Sequence, residues 1–277
     1  MLIRAGYEIG FKFDAPAAMT FLLHVLPSRA KDLRTPDELT IDPPVPVTDF
    51  IDCFGNRCSR IVAPAGLIRV SNDFVIEDSG LLPPVFPDAV QHPVEELPPE
   101  CLQFLLPSRY CEVDRLSDIA WQLFSDTKPG WGRVQTICDW VHNYIEFGYQ
   151  YARPTKTAFE TYEEKKGVCR DFTHLAVTFC RAMNIPTRYA TGYLGDIGVP
   201  LNPAPMDFSA CFQVYLSGQW HTFDARFNQR RIGWILMATG RDAVDCSITT
   251  SFGPHILEKF LVWSDEVQTA DLSVKRC

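Results

Sequence analysis

The feature that most limits how this chain can fold is a change of rhythm across residues 83–108. That stretch holds P-P-V-F-P, H-P-V-E-E-L-P-P-E and L-P-S. Proline fixes φ and lacks an amide hydrogen, so neither a helix interior nor a central strand continues through so many of them. Before the break the chain reads in period two. Y-E-I-G-F-K-F (7–13) alternates apolar and polar, and I-V-A-P-A-G-L-I-R-V (61–70) is rich in β-branched residues. F-G-N-R (54–57) is a turn signal that fits a hairpin. Residues 1–82 therefore read as a small antiparallel β domain, a sandwich, and 83–112 as a proline-rich connector lying along the surface.

After the break the period becomes helical. Leu116, Ile119, Ala120 and Leu123 share one face, as do Val134, Ile137, Cys138, Val141 and Ile145. A third helix begins near Thr157. A fourth follows Cys169, burying Leu175, Ala176, Phe179 and Met183, and Asn184-Ile185-Pro186 ends it. Then come a strand at 187–194 and two more, F-S-A-C-F-Q-V-Y-L and Q-W-H-T-F-D-A-R, joined by Ser217-Gly218. The whole reads as an α+β chain, with a core at 113–277 in which helices pack on an antiparallel sheet.

Composition narrows the function. The net charge of -8 and the lack of a basic stripe argue against nucleic-acid binding. The start carries no secretory signal pattern, and the apolar run at 18–26 is too short to span a bilayer. A cytoplasmic location without membrane association is the expectation, with the ten cysteines mostly reduced. Cys53 and Cys58 have no second close cysteine pair to complete a zinc set, and no metal or cofactor is expected. Cys101, Cys111, Cys138, Cys180 and Cys246 read as small core hydrophobes. No oligomeric state follows from the sequence.

The chemistry concentrates in G-V-C-R-D-F-T-H, 167–174. A helix start offers free amide hydrogens and partial positive charge, which favour a thiolate at Cys169 and could hold an oxyanion. Gly167 would let a substrate approach the backbone. In the following hairpin, a two-residue turn at Ser217-Gly218 pairs Tyr215 with Trp220 and Gln213 with Thr222. Ser209, Cys211, Gln213, Thr222, Asp224 and Arg226 then share one face, and His221 lies on the other. An acid at 224 could orient a base diagonally opposite, at 209, and that residue is serine. His174 lies well round the helix from the thiol. It is a candidate substitute base, against the plainer account of a satisfied structural histidine. Asp207 could line a cleft, against the plainer account of a turn residue.

G-V-C-R-D-F, N-I-P-T-R-Y-A-T-G-Y and F-S-A-C-F-Q-V-Y-L-S-G-Q-W-H-T-F-D-A-R, in that order, resemble the bacterial transglutaminase-like superfamily. The β-rich first part is similar to that family's bacterial N-terminal region. The resemblance implies a papain-like Cys-His-Asp acyl-transfer site, with Cys169 as nucleophile and Asp224 as the orienting acid. The family's block carries His-Ala-Trp where this chain has Ser209-Ala210-Cys211. Some similar sequences continue D-A-R-H-N after the acid, where this one has Phe227. The triad is thus incomplete, since a serine hydroxyl is no general base near neutral pH. Two functions follow as expectations. One is a cysteine-dependent amidase or peptidase, or an acyltransferase, acting on a peptide or protein amide. The other is a degenerate relative that binds a peptide or protein partner in the former cleft. Lack of a calcium-loop pattern favours hydrolysis over cross-linking.

Overall fold

The computed structural model describes residues 1–268. In chain order the elements are β1 (Leu2–Phe13), β2 (Ala17–Phe21), β3 (Thr40–Asp42), β4 (Thr48–Ile51), β5 (Arg57–Ala63) and β6 (Gly66–Glu77). The connector contributes one helical turn, α1 (Pro99–Leu102). Then follow α2 (Val113–Phe124), α3 (Trp131–Tyr144), β7 (Glu146–Phe147), α4 (Ala158–Glu164), β8 (Lys166–Gly167) and α5 (Cys169–Ala182). The last elements are β9 (Thr187–Leu194), β10 (Ser209–Leu216), β11 (Gln219–Phe223), β12 (Trp234–Gly240), β13 (Thr249–Ser251) and β14 (Ile256–Val267). The architecture is α+β, with antiparallel sheets and a helical layer.

Two four-stranded antiparallel sheets, ordered β14-β1-β6-β3 and β13-β2-β5-β4, form the β region. Alternate residues of β1, among them Ile3, Ala5, Tyr7, Ile9, Phe11 and Phe13, share one apolar cluster with Met19 and Phe21 of β2 and Ile61 of β5. That is the packing expected of a sandwich whose inner faces interdigitate. The chain's end returns to this region. β13 pairs with β2, and β14 runs antiparallel to β1 from Leu2↔Val267 to Lys12↔Ile256. Strands at 249–267 therefore complete sheets begun by residues 2–77.

The second sheet system is antiparallel and ordered β11-β10-β9-β12. Helix α5 lies on it, buried at every position from Asp171 to Ala182, with α2, α3 and α4 packed around it. Leu175, Val177 and Phe179 join Phe212, Val214, Leu216 and Phe223 in one cluster. Truncating such a residue, as in Phe179→Ala, costs about 3–5 kcal/mol. The fully buried Arg181 ties the helix to its surroundings through Thr187 O and Leu106 O at 2.9 and 3.0 Å and through Arg241 O. Tyr193, Phe208, Ile235 and Met237 of the core pack into the sandwich cluster, so the two regions share an apolar seam. A cleft opens along that seam.

Among the described residues no helix is long and apolar enough to cross a membrane. The nine described cysteines are free thiols, and Cys277 lies outside the described residues.

Candidate active site

Cys169 is the first residue of α5, and the preceding turn shows why it is held there. Asp171 reaches back so that its Oδ2 accepts the Val168 N–H at 2.9 Å. A side chain on Gly167 would sit 2.6 Å from the Asp171 Cβ. Gly167 thus makes room for the capping carboxylate, and not for a substrate. The amides of Cys169 and Arg170 precede the start of the helix's own hydrogen-bond ladder.

The hairpin follows the parity of the sequence over most of its length. Ser217 and Gly218 both have positive φ, 47° and 80°, as a tight primed turn requires. Pairing then runs Leu216↔Gln219, Tyr215↔Trp220, Val214↔His221, Gln213↔Thr222 and Phe212↔Phe223. There it stops. Asp224 Oδ1 accepts the amides of Arg226 and Phe227 at 2.8 and 3.1 Å, and Asn228 N–H donates to Asp224 O at 2.9 Å. This turn carries β11's continuation out of the ladder, leaving β10 without a β11 partner from Ser209 to Cys211. Ala210, in that gap, lines the larger of the Cys169 cavities, and its amide favours the thiolate.

Cys169 lies between two cavities, of about 250 and 540 Å³. Tyr149, Asp207 and Phe208 line both with it. The smaller cavity adds Ser209, Arg226 and Phe227. The larger runs between core and sandwich, past Arg170, Tyr189 and Ala210, to Phe11, His255, Leu257 and Phe260. Arg226 has its guanidinium 3.9 Å from the Phe147 ring centre and 4.3 Å from that of Phe227. Burial is the main influence on the thiol and pushes its pKa from an ordinary 9.0 up to about 11. Arg226 and the Ala210 amide favour the thiolate, while Asp207 and Asp224 oppose it. A helix start contributes only about 0.3–1 kcal/mol toward an anion, less than one pKa unit, so desolvation wins. Burial thus works against the thiolate that the helix start favours.

The residues singled out from sequence separate into different places. Ser209 is buried and lines the smaller cavity with Cys169. Asp224 borders a third cavity, behind the hairpin, with Cys138, Trp131 and Trp220. Burial raises its carboxyl to about 6, against the pull of the two turn amides, Arg226 and Arg231. His174 is wholly buried, stacked on Tyr110 and tilted against Tyr189. Its Nε2 accepts the Ala243 N–H at 3.2 Å, its Nδ1 is buried without a partner, and burial holds the ring well below its ordinary pKa. It is not among the residues lining either Cys169 cavity. His221 bonds Leu216 O on the opposite face, and His142 Nδ1 donates to Arg226 O at 2.7 Å. Of the six histidines only His255 borders a cavity with Cys169, on the far wall against Phe11 and Phe13. Among the described residues no cluster of His, Cys, Asp or Glu could hold a metal ion.

Tyr149 was missed from sequence, and Asp207 and Arg226 were undervalued. Tyr149 follows β7 in a short turn with no motif of its own. Asp207 is next to last in a fourteen-residue, proline-punctuated loop between β9 and β10, and loops of that length are commonly functional.

A crystal structure of a candidate cysteine protease from Cytophaga hutchinsonii is 30% identical to this chain. It superposes with a TM-score of 0.83, covering 97% of this chain and 91% of that one. The family model of the transglutaminase-like superfamily matches residues 118–225, from α2 through the Asp224 turn. The chain belongs to the transglutaminase-like superfamily. An uncharacterized Mycobacterium leprae protein, ML0607, is 23% identical over 262 residues, spanning 88% of this chain and 90% of that protein. The periplasmic domain of TgpA from Pseudomonas aeruginosa is a remoter likeness, 14% identical with a TM-score of 0.40 over 81% of this chain and 90% of that one. Within the superfamily match, Cys169 and Asp224 lie inside the matched span, as do Ser209 and His174.

Proposed function

We propose that this transglutaminase-like chain is a thiol acyl-transfer protein that hydrolyses an amide or peptide bond, with Cys169 as its nucleophile. One observation carries the reading: Cys169 stands at a helix start and lines two cavities, with Arg226 and the Ala210 amide favouring its thiolate. Sulfur would attack the substrate carbonyl, the free amides of the first turn of α5 would hold the developing oxyanion, and the amine would leave with a proton. Water would then cleave the thioester. Asp224 would contribute by shaping the turn that brings Arg226 and Phe227 to the cleft.

The test uses p-nitrophenyl acetate as an acyl donor and peptide mapping to find the acetyl group. An acetyl-Cys169 intermediate in the wild type, lost in Cys169→Ser, is the expected result. Acetylation spread over the other cysteines, or none at all, would refute it. A second reading, a degenerate relative that holds a peptide or partner protein in the cleft, is favoured by the raised thiol pKa and the absence of an imidazole against the sulfur among the described residues. Under that reading, thioester turnover would arise only when Ser209→His restores a base.

A further inference from the structure

We infer that Asp207 is the general base of this site, acting where the family's histidine is missing. The inference rests on Cys169 being the nucleophile and goes beyond it by naming the group that moves the proton. Three observations place Asp207 there. It is the one carboxylate that lines both cavities with Cys169. It stands two residues before β10, the strand whose Ala210 lines the larger cavity with Cys169. Its Oδ1 accepts its neighbour Phe208's N–H at 2.7 Å, which restrains the carboxylate at the cavity wall.

The electrostatics agree with that placement. After Arg226, Asp207 is the charge that acts most on the thiol. Although the residue is exposed at the rim, burial is the main influence on its carboxyl and raises it above the ordinary 3.8, with Arg226 pulling the other way. A raised carboxyl is a better proton acceptor than an ordinary one. Of the other acids that line the smaller cavity, Asp196 pairs with Arg231 at 3.2 Å, and Asp265 and Glu266, near the end of β14, do not line the larger one. His174 spends Nε2 on Ala243, Asp224 lines neither Cys169 cavity, and His142 meets Arg226 from its backbone side. His255 lies across the cleft among phenylalanine rings.

In the first half-reaction the Asp207 carboxylate takes the thiol proton as sulfur bonds to the carbonyl carbon. The resulting carboxylic acid gives that proton to the leaving group as its bond to carbon breaks. In the second half, the carboxylate takes a proton from water while the oxygen attacks the thioester carbon. The C–S bond then breaks, and the thiolate is reprotonated by Asp207. Carboxylates serve as bases toward water in inverting glycoside hydrolysis, so the second half suits this group best.

Because Asp207 acts in both half-reactions, one variant tests both. With p-nitrophenyl acetate and the full chain, Asp207→Asn should acetylate Cys169 more slowly than the wild type. Release of acetate from acetyl-Cys169 should fall by about 10²–10⁴-fold, the usual contribution of a general base. Asp207→Glu should restore part of the release. Deacetylation of Asp207→Asn at the wild-type rate would overturn the inference while leaving Cys169 as nucleophile. A loss of release in His255→Gln but not in Asp207→Asn would do the same and move the role across the cleft. A wild type that is never acetylated at Cys169 would instead bring down the nucleophile assignment, and this inference with it.

Discussion

The two ends of the β10–β11 hairpin obey different rules. At the closed end, from Ser217-Gly218 to Phe212↔Phe223, each residue sits where strand parity puts it, and Gln213 bonds Thr222 across the ladder at 3.0 Å. At the open end the ladder stops, Asp224 folds its own chain into a turn, and Ala210 lines a cavity with the Cys169 thiol. Parity assigned Asp224 and Ser209 to one face, on the premise that the strands stay paired. In the turn Asp224 lines a cavity with Trp131 and Trp220 while its charge still acts on Cys169, and Arg226 and Phe227 line the smaller Cys169 cavity. The site lies where the regular pattern ends, because only there are backbone groups free to bind anything else.

Asp224→Asn probes the open end with the largest effect. In the folded chain this carboxyl titrates near 6, against an ordinary 3.8, so the fold favours its protonated form. Stability is therefore fullest below about pH 4 and falls as pH rises to about 6. Asparagine keeps the Oδ1 acceptor for the turn and removes the charge. The variant should be more stable at pH 7 by up to about 3 kcal/mol, with no gain at pH 4, as followed by urea unfolding. A loss of stability at pH 7 would mean that Asp224 is held there by an ion pair and not by its turn.

Next in size is Ser209→His, at the last position before the gap. An imidazolium beside the sulfur would lower the thiol pKa by one to two units, raising Cys169 alkylation at pH 7 by about 10–100-fold. Phe227→His, which lines the same cavity, should act in the same direction. No change in either variant would mean that the cavity does not bring these positions to the sulfur. His174→Leu tests the body of α5. Orphaning the Ala243 amide should cost about 1–3 kcal/mol in thermal or urea unfolding and leave Cys169 alkylation unaltered. A slowed alkylation would give His174 a part in the site. The smallest effect belongs to the closed end. Thr222→Ala, which removes only the bond to Gln213, should cost under about 1 kcal/mol, with no effect on the thiol, and a larger effect would mean that the ladder's two ends are coupled.

Much of this was legible in the sequence. The proline break, the helix beginning at Cys169 and the tight turn at Ser217-Gly218 are local signals that packing did not override. Other features were not legible because they depend on partners distant in sequence. The pairing of β14 with β1 joins opposite ends of the chain, and nothing local in I-L-E-K-F-L-V announces that strand's partner. Gly167 read as an opening for substrate because its neighbour in space, Asp171, could be seen only as a neighbour in sequence. The thiol read as activated because the helix start is a local effect, whereas the burial that outweighs it comes from β10 and the seam with the sandwich.

The most direct test is the pH dependence of Cys169 alkylation by iodoacetamide, followed by peptide mapping from pH 6 to 11. A half-buried thiol whose pKa desolvation pushes up to about 11 should react slowly at pH 7 and speed up about tenfold per pH unit, without levelling off before pH 10. A rate already at its plateau by pH 7 would show a preformed thiolate, contradicting the account of a desolvated nucleophile that needs a base.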